Sequence, residues 1–190
     1  MAFIESAEVK AGDLCPECAT PVIIDRAIEI GHIFQLGRKY AGALDLTVLD
    51  KDGKSKVVTM GSYGIGVSRA VAAIAEQTYD EMGLCWPREV APADIHIVAT
   101  GKDDEPFNVA EKFAQDLEAA GLRVMLDDRR DASPGVKFKD AELIGIPFIM
   151  VVGKGLADGK VEFRDRKSGE KSEFALDSAL ATIIATITQA

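Results

Sequence analysis

The sequence predicts an α/β fold, and two stretches carry this prediction. From residue 95 onward, short apolar strands alternate with helical patterns, which is typical of crossover connections and of a mixed, mainly parallel sheet in a three-layer domain. Earlier, residues 57–77 indicate a strand, a glycine-rich turn and a helix. Two prolines, Pro87 and Pro92, interrupt regular structure between these stretches, so we predict two domains, 1–90 and 91–190.

In the first domain, residues 1–13 show weak periodicity and suit an extended lead-in. The β-branched run Val22–Ile30 predicts a strand. Residues 44–49 and 56–60 flank Asp52-Gly53, a strong turn signal, and predict a hairpin. Residues 78–87 then form a loop with one aromatic residue and one cysteine that we expect to be partly buried.

The second domain is predicted to hold two strand–helix units, a third strand, a hairpin and a final helix. Gly121 is expected to end the helix 106–120, and Asp177 or Ser178 is expected to cap the start of the final helix. The predicted strands are 95–100, 122–126, 148–152, 161–164 and 171–174, and the predicted helices are 106–120, 137–143 and 179–189.

Composition places the 190 residues among ordinary globular proteins, with 47% hydrophobic and 28% charged residues. No apolar run approaches the roughly 18 residues of a membrane span, so we expect no membrane association. The net charge of −9 argues against strong, non-specific binding of nucleic acid, although a local basic patch stays compatible with it. Three cysteines favour a reducing, cytoplasmic setting over a disulfide framework.

Cys15 and Cys18 have the spacing of a zinc knuckle, but a structural zinc site takes four ligands. The other candidates, Cys85, His32 and His96, have no partner at knuckle spacing. We therefore expect a tight turn here and no metal.

The glycine-rich stretch has the chemistry of a phosphate site. Gly61, Gly64 and Gly66 allow close approach of a ligand to the backbone, and a helix start with Arg69 in its first turn supplies donors and positive charge. The alternative is that the glycines only permit close packing and that Arg69 is a solvated surface charge. Arg69 stands where the dinucleotide fingerprint needs a glycine, and the phosphate loop's Gly-Lys-Ser/Thr ending is missing.

The loop after the second predicted strand of the C-terminal domain combines cations with an aromatic residue. Arg129, Arg130, Lys137 and Lys139 fall within eleven residues, with Phe138 between the lysines. Such residues contact phosphates and stack unpaired bases, and the carboxylate of Glu142 can accept from base amino groups. The alternative is a salt-bridged loop with Phe138 in the core.

Three strings resemble the bacterial-type prolyl-tRNA synthetases, a family of class II aminoacyl-tRNA synthetases. Residues 60–69, MGSYGIGVSR, look like motif 3 of that class. Residues 31–40, GHIFQLGRKY, and residues 135–147, GVKFKDAELIGIP, are similar to two further strings of the family. All three occur in the family's order, and the resemblance covers nearly the whole chain.

The resemblance implies that the first domain is the end of the antiparallel class II catalytic sheet. His32, Gly61 and Ser62 would contact proline, whereas Gly64, Gly66 and Arg69 would contact ATP, with Arg69 on the γ-phosphate. His32, Ser62 and Arg69 would be the catalytic positions. Many members carry cysteine where this chain has Ser62, and the exchange keeps a small polar group.

The second domain would be the anticodon-binding domain that the prolyl, threonyl, histidyl and glycyl enzymes share. Its expected contacts to the anticodon stem-loop of tRNA(Pro) are Arg129, Lys137, Phe138, Lys139 and Glu142, with Arg129 and Lys139 the strongest candidates. The family joins proline to its tRNA with ATP and Mg²⁺, as a homodimer. We expect none of these cofactors to be bound tightly by this chain.

Motifs 1 and 2 of the class, including the motif 2 arginine on the α-phosphate, are not recognisable in the sequence, so we expect the chain to be inactive alone. It is then a C-terminal piece of the synthetase, a free-standing tRNA-binding or regulatory module, or a subunit of a split enzyme. The genomic sequence upstream of Met1 would separate these readings.

The resemblance also implies an exposed sheet edge and an apolar face in residues 1–90. We predict that this part is poorly ordered or pairs with another copy, while residues 95–190 fold alone. Amide hydrogen exchange combined with a mass measurement in solution tests this prediction. A monomer whose amides exchange uniformly slowly across residues 1–90 would refute it.

Overall fold

The computed structural model describes residues 8–189. They form two compact units, which divide in the sequence between Gly66 and Val67. The predicted domain boundary near residue 90 remains a prediction. Residues 1–7 of the predicted lead-in lie outside the described residues.

The N-terminal unit consists of two separate antiparallel strand pairs and a short helix. Its elements are β1 (Gly31–Gly37), α1 (Lys39–Ala43), β2 (Thr47–Leu49), β3 (Ser55–Val57) and β4 (Met60–Ile65). β1 pairs with β4, and β2 pairs with β3 around the predicted Asp52-Gly53 turn. Asp50 holds that turn, because its Oδ1 accepts hydrogen bonds from the backbone N–H groups of Asp52 at 2.8 Å and Lys54 at 3.0 Å.

Two predictions for this unit are wrong. Residues 22–30 have no regular secondary structure, and the strand starts only at Gly31, where β4 offers backbone partners. Gly61 and Gly64 lie inside β4 and not in a turn. Close pairing of the strands explains a different glycine, Gly31, because a Cβ there would approach the Gly64 carbonyl oxygen to 2.8 Å.

The N-terminal unit buries almost nothing. Among residues 8–66, the only buried hydrophobic side chain is Ala41. Both faces of the β1–β4 pair expose large apolar groups, with Phe34 50% exposed on one face and Ile33 78% and Tyr63 84% exposed on the other. A surface of this kind normally packs against further structure.

The C-terminal unit begins with α2 (Val67–Thr78), which has no buried residue. Its other elements are β5 (Ile95–Ala99), α3 (Glu105–Ala119), β6 (Val124–Asp127), α4 (Pro134–Ile144), β7 (Phe148–Val152), a 3₁₀ turn (Lys154–Asp158), β8 (Lys160–Asp165), β9 (Lys171–Ala175) and α5 (Leu176–Gln189). Each strand and helix predicted after residue 95 is present, with ends that differ by a few residues. The 3₁₀ turn was not predicted.

The five strands form one mixed sheet in the order β6-β5-β7-β8-β9. β5 is parallel to β6 and β7, whereas β8 is antiparallel to β7 and β9. Four strands therefore point the same way, which agrees with the predicted mixed, mainly parallel sheet. Helices α3 and α5 cover one face over the main core, which includes Ile95, Ile97 and Phe163. Helix α4 covers part of the other face, over Val98, Ile149 and Val151.

Asp94 fastens three parts of this unit at the start of β5. The residue is 4% exposed, and its carboxylate accepts hydrogen bonds from Arg88 Nε at 2.8 Å and from the Arg123 backbone N–H at 2.8 Å. Arg88 also donates to the Ile187 carbonyl at 2.7 Å. The group thus connects the segment before β5 with the start of β6 and the end of α5.

We expect Asp94→Asn to lower the free energy of unfolding by about 2 kcal/mol, because buried, charge-assisted hydrogen bonds are lost. The guanidinium groups of Arg88 and Arg123, which lie 2.8 and 2.9 Å from the Asp94 carboxylate, also lose their counter-ion. Chemical denaturation followed by circular dichroism measures the change. Asp103→Asn is the matched control, since Asp103 is exposed in the loop after β5. Equal stability of the two variants would contradict the role given to Asp94.

Candidate functional site

The β1–β4 pair assembles the residues predicted to bind the amino acid. His32 lies directly opposite Gly64, and Phe34 lies opposite Ser62. Opposed residues of an antiparallel pair share a face, and alternate residues of a strand return to it. His32, Ser62 and Gly64 therefore share one face, while Gly61 belongs to the other.

His32 stands at the surface of this pair. Its side chain is 53% exposed, and its Nδ1 lies 3.6 Å from Glu29 Oε1. The imidazole tilts against the Phe34 ring with 4.2 Å between centroids. This contact holds a polar ring next to an apolar one on an open face of the pair.

The predicted nucleotide residues follow directly in the chain. β4 ends at Ile65, the backbone N–H of Gly66 donates to the Ile30 carbonyl at 3.1 Å, and α2 begins at Val67. Arg69 is exposed in the first turn of α2. A Cβ at Gly64 would meet no atom within 4 Å. The absence of a side chain there leaves the backbone open to a ligand.

In the C-terminal unit, Arg129 is held by two carboxylates. Its Nε and Nη2 donate to Asp127 at 3.0 and 2.7 Å, and Nη2 also donates to Asp140 at 2.7 Å. The side chain is 45% exposed. These contacts orient the guanidinium, and any RNA group that binds it adds to or competes with them.

Asp127 is the buried anchor of this arrangement, with its side chain 6% exposed. Burial raises the pKa of this carboxyl. The hydrogen bonds from the Arg129 side chain and backbone, together with the charge of Lys137, outweigh burial and bring the pKa to about 2. The carboxylate is therefore ionised over the whole physiological range.

Lys137 is placed differently from the other predicted RNA contacts. Its side chain is 1% exposed, and its ammonium donates to the carbonyls of Ala99 at 2.7 Å and Asp127 at 3.1 Å. Those carbonyls end β5 and β6. In this arrangement Lys137 joins two strand ends beneath α4 and presents no ammonium at the surface.

Phe138 lines a cavity of about 420 Å³ at the carboxyl ends of β5 and β7. The guanidinium of Arg164 lies over its ring, 4.9 Å from the centroid. Parallel sheets gather ligands beyond these strand ends. The lining residues are Thr100, Pro134, Phe138, Val151, Gly153, Lys154, Gly155, Lys160, Val161, Glu162, Arg164 and Glu173.

The cavity brings in charged residues that the sequence prediction missed, namely Lys154, Lys160, Glu162, Arg164 and Glu173. Most of them come from the β8–β9 hairpin. A signal for them exists in the sequence, because charged residues at 160, 162 and 164 alternate with the buried Val161 and Phe163. Four of these charged groups form two ion pairs beside the ring, Lys160 with Glu173 and Arg164 with Glu162.

The other predicted contacts are spread around α4. Lys139 is exposed, and Glu142 is half-buried one turn after Phe138. Arg129 instead lines a second cavity with Asp140, Leu143 and Ile144, on the flank of α4 towards β6. The structure therefore places Phe138 and Arg129 on different flanks of the helix.

Cys15 and Cys18 flank a turn, as predicted, and the Cys18 thiol lies 3.4 Å from Thr20 Oγ1. Within residues 8–189, no three His, Cys, Asp or Glu side chains are grouped so as to hold a metal ion. In the same range, no helix is both long and apolar enough to cross a membrane.

Comparison with known families assigns both parts of the chain. The model described as "tRNA synthetase class II core domain (G, H, P, S and T)" matches residues 13–78, and the model described as "Anticodon binding domain" matches residues 94–186. Proline–tRNA ligase of Kineococcus radiotolerans is 60% identical over 185 residues. This chain belongs to the proline–tRNA ligase family.

The similarity covers this chain more fully than it covers its relatives. The Kineococcus radiotolerans match spans 97% of this chain and 32% of that ligase. The ligase of Paenarthrobacter aurescens is 60% identical over 95% of this chain and 30% of its own length. The chain therefore spans about a third of the curated ligases that it matches, and it corresponds to the C-terminal part of their class II core plus the anticodon-binding domain.

Solved structures agree on the fold. A crystal structure of prolyl-tRNA synthetase from Cryptosporidium parvum, in complex with L-proline and AMP, superposes with a TM-score of 0.72. The identity is 23%, and the match covers 84% of this chain and 34% of that protein. A second structure of the same synthetase, with halofuginone and AMPPNP, has a TM-score of 0.73.

The low pKa of Asp127 predicts an acid-sensitive contribution to stability. Because the folded pKa of about 2 lies below the ordinary 3.8, the contribution is complete above pH 4 and is lost as the pH falls towards 2. Between pH 4 and pH 2, we expect the free energy of unfolding of Asp127→Asn to fall less than that of the unaltered chain. Urea denaturation at several pH values measures it, with the exposed Asp128→Asn as control. Identical pH dependence in both variants would contradict the role given to Asp127.

Proposed function

We propose that the chain is the part of a proline–tRNA ligase that completes its ATP and proline pocket and reads the tRNA anticodon. The overall reaction would be ATP + L-proline + tRNA(Pro) → prolyl-tRNA + AMP + diphosphate, in the cytoplasm. The main support is the 60% identity to proline–tRNA ligases along 97% of the chain. The chain's two family matches support the same division of labour.

We assign anticodon reading to the Phe138 cavity and to the exposed side of α4. A base can stack on the Phe138 ring in place of the Arg164 guanidinium. That guanidinium keeps its Nε ion pair with Glu162 and would offer its remaining N–H groups to a phosphate or a base edge. Lys154 supplies a further donor in the cavity. Lys160 Nζ donates to Glu173 Oε2 at 3.0 Å, so a base would compete with this ion pair for both groups. Lys139 and Glu142 extend this surface along the helix.

Arg129 contributes from the opposite flank. Its Nε and Nη2 are engaged with Asp127 and Asp140, which leaves Nη1 for RNA. A guanidinium held in this way loses little conformational freedom when it binds. We therefore retain Arg129 as an anticodon-loop contact that is separate from the Phe138 cavity.

We propose a positioning role for Lys137. Its ammonium is buried against two carbonyls, so it acts by holding the ends of β5 and β6, which bear Arg129 and one wall of the cavity. The direct base contact expected from the sequence would require these hydrogen bonds to break.

In the N-terminal unit we assign proline to the face that holds His32 and Ser62. Gly61 belongs to the other face and would contact the ligand only through its backbone. The nucleotide would contact the backbone at Gly64 and Gly66 and the guanidinium of Arg69. The open space beside Gly64 and the exposure of Arg69 fit a phosphate-bearing ligand. In this proposal these side chains and backbone groups position proline and ATP and stabilise the negative charge of the phosphates. Positioning and charge stabilisation are the main contributions that proteins make to phosphoryl and acyl activation.

Magnesium would neutralise charge on the triphosphate during activation of proline. No grouping of three metal-binding side chains occurs in residues 8–189, so we assign no residue of this chain to the ion. The motif 1 and motif 2 elements of the class are not recognisable in the 190 residues. We therefore propose that activity also requires those elements and the homodimer that they build.

We expect the chain to bind a proline tRNA transcript at least tenfold more tightly than a transcript whose anticodon bases are replaced. Arg129→Ala/Lys139→Ala should abolish the preference, and Phe138→Ala should weaken binding to the native transcript by about 1–3 kcal/mol, the value of a stacked base. Fluorescence anisotropy at low and moderate salt measures both effects.

Lys112→Ala is the matched control, because Lys112 is an exposed cation on α3. Equal binding of both transcripts, with affinity that collapses as salt rises, would reveal only non-specific attraction to phosphates. That outcome would overturn the assignment of anticodon reading to this chain.

A further inference from the structure

The segment 80–86, between α2 and β5, lies against the C-terminal end of α4. We call it the 80–86 strap. The backbone N–H of Leu84 donates to the Leu143 carbonyl at 3.3 Å, and that of Trp86 donates to the Gly145 carbonyl at 3.0 Å. The last carbonyls of a helix have no partner within the helix. The strap supplies partners for two carbonyls at this end of α4.

Glycines bring the two backbones into direct contact. Gly83 has φ of +149°, and a Cβ there would lie 2.6 Å from Leu143 Cα. Gly145 has φ of +75°, and a Cβ there would lie 2.1 Å from the Leu84 carbonyl oxygen. No other residue type fits at either position without moving the strap away from the helix.

An ion pair anchors the beginning of the strap. Arg166, whose side chain is 2% exposed, donates from Nη1 and Nη2 to the Asp80 carboxylate at 2.6 and 2.7 Å. Its Nε lies 3.3 Å from the Glu142 backbone carbonyl. The Arg166 guanidinium holds the pKa of Asp80 well below its ordinary value, so the pair is ionised at neutral pH.

One arginine thus binds both the strap and a carbonyl of the helix that presents Phe138, Lys139 and Glu142. We propose that Asp80 and Arg166 are positioning residues for anticodon reading, which act by fixing the C-terminal end of α4 and the direction of Glu142. The inference rests on the function proposed above. It adds two residues that have no contact with RNA in that proposal.

The strap also has a short connection to α2. That helix ends at Thr78, two residues before Asp80, and it carries Arg69. The strap contains the chain's single tryptophan, Trp86, whose backbone N–H donates to the Gly145 carbonyl, so RNA bound along α4 would change its surroundings. The emission of Trp86 reports on the strap directly.

The test uses the full chain and two RNA probes, the anticodon stem-loop of proline tRNA and the same stem-loop with its anticodon replaced. For each variant, anisotropy gives the ratio of the two affinities, and Trp86 emission is recorded during the same titrations. The variants are Asp80→Asn, Arg166→Lys, their combination, and Gly83→Ala, which removes no charge. Asp103→Asn is the control for the loss of one exposed carboxylate.

We expect the native stem-loop to change Trp86 emission in the unaltered chain. Asp80→Asn and Arg166→Lys should each reduce the affinity ratio by about fivefold or more, in the range of typical coupling effects. The combined variant should lose no more than the single ones, because both break the same pair. Binding of the replaced stem-loop should stay unchanged, since it depends on phosphates alone.

Two results separate failure of this inference from failure of the proposed function. If the unaltered chain prefers the native stem-loop, and the variants keep that preference while only their thermal midpoints fall, the pair is merely structural and the inference is overturned. If the unaltered chain shows no preference at all, the proposed function fails and this inference fails with it. All titrations are run below the melting temperature of each variant, so that the affinity ratio is measured on folded protein.

Discussion

One buried charged group, the ammonium of Lys137, links the sheet of the C-terminal unit to α4. Removing an ammonium from water costs several kcal/mol, so its hydrogen bonds to the Ala99 and Asp127 carbonyls and its ion pair with Asp127 are obligatory. These contacts join the carboxyl ends of β5 and β6 to the first turns of α4. Arg129 on one flank and the Phe138 cavity on the other are both built on that junction.

Helix α4 is constrained at both ends by groups outside it. At its start, Ser133 caps the Val136 N–H, and Lys137 is tied to two strands. At its end, Arg166 and the 80–86 strap take up carbonyls that the helix itself leaves without partners. A helix fixed in this way can present side chains from both flanks with little loss of order. This property suits a surface that must distinguish bases by position as well as by charge.

The two units differ in the source of their stability. The C-terminal unit has its own core between the sheet and helices α3 and α5, with residues such as Ile97, Leu117 and Ile183 fully buried. The described part of the N-terminal unit is held by backbone pairing and turns and exposes most of its apolar side chains. The residues that we assign to proline, together with Gly64 and Gly66 of the proposed ATP contacts, therefore lie on the part of the chain with the least packing of its own. Arg69 belongs to α2, a helix of the C-terminal unit that has no buried residue. The residues assigned to the anticodon lie on the part with the most.

The sequence by itself determined the family, the α/β class and almost every element after residue 95, because apolar runs, helical spacing and glycine stops are local signals. It also indicated Phe138, Lys139 and Glu142 as neighbours on one helix. It misplaced the strand at residues 22–30 and the turn at Gly61 and Gly64, because a strand forms only where a partner strand lies, and the pairing of β1 with β4 is not a local property.

Only the tertiary structure decided that Lys137 is buried while Lys139 is exposed, since burial depends on which strands the helix covers. It also decided which distant residues complete the site: Arg164 reaches Phe138 and Arg166 reaches Asp80 because strand order and helix packing, and not spacing along the chain, bring them together.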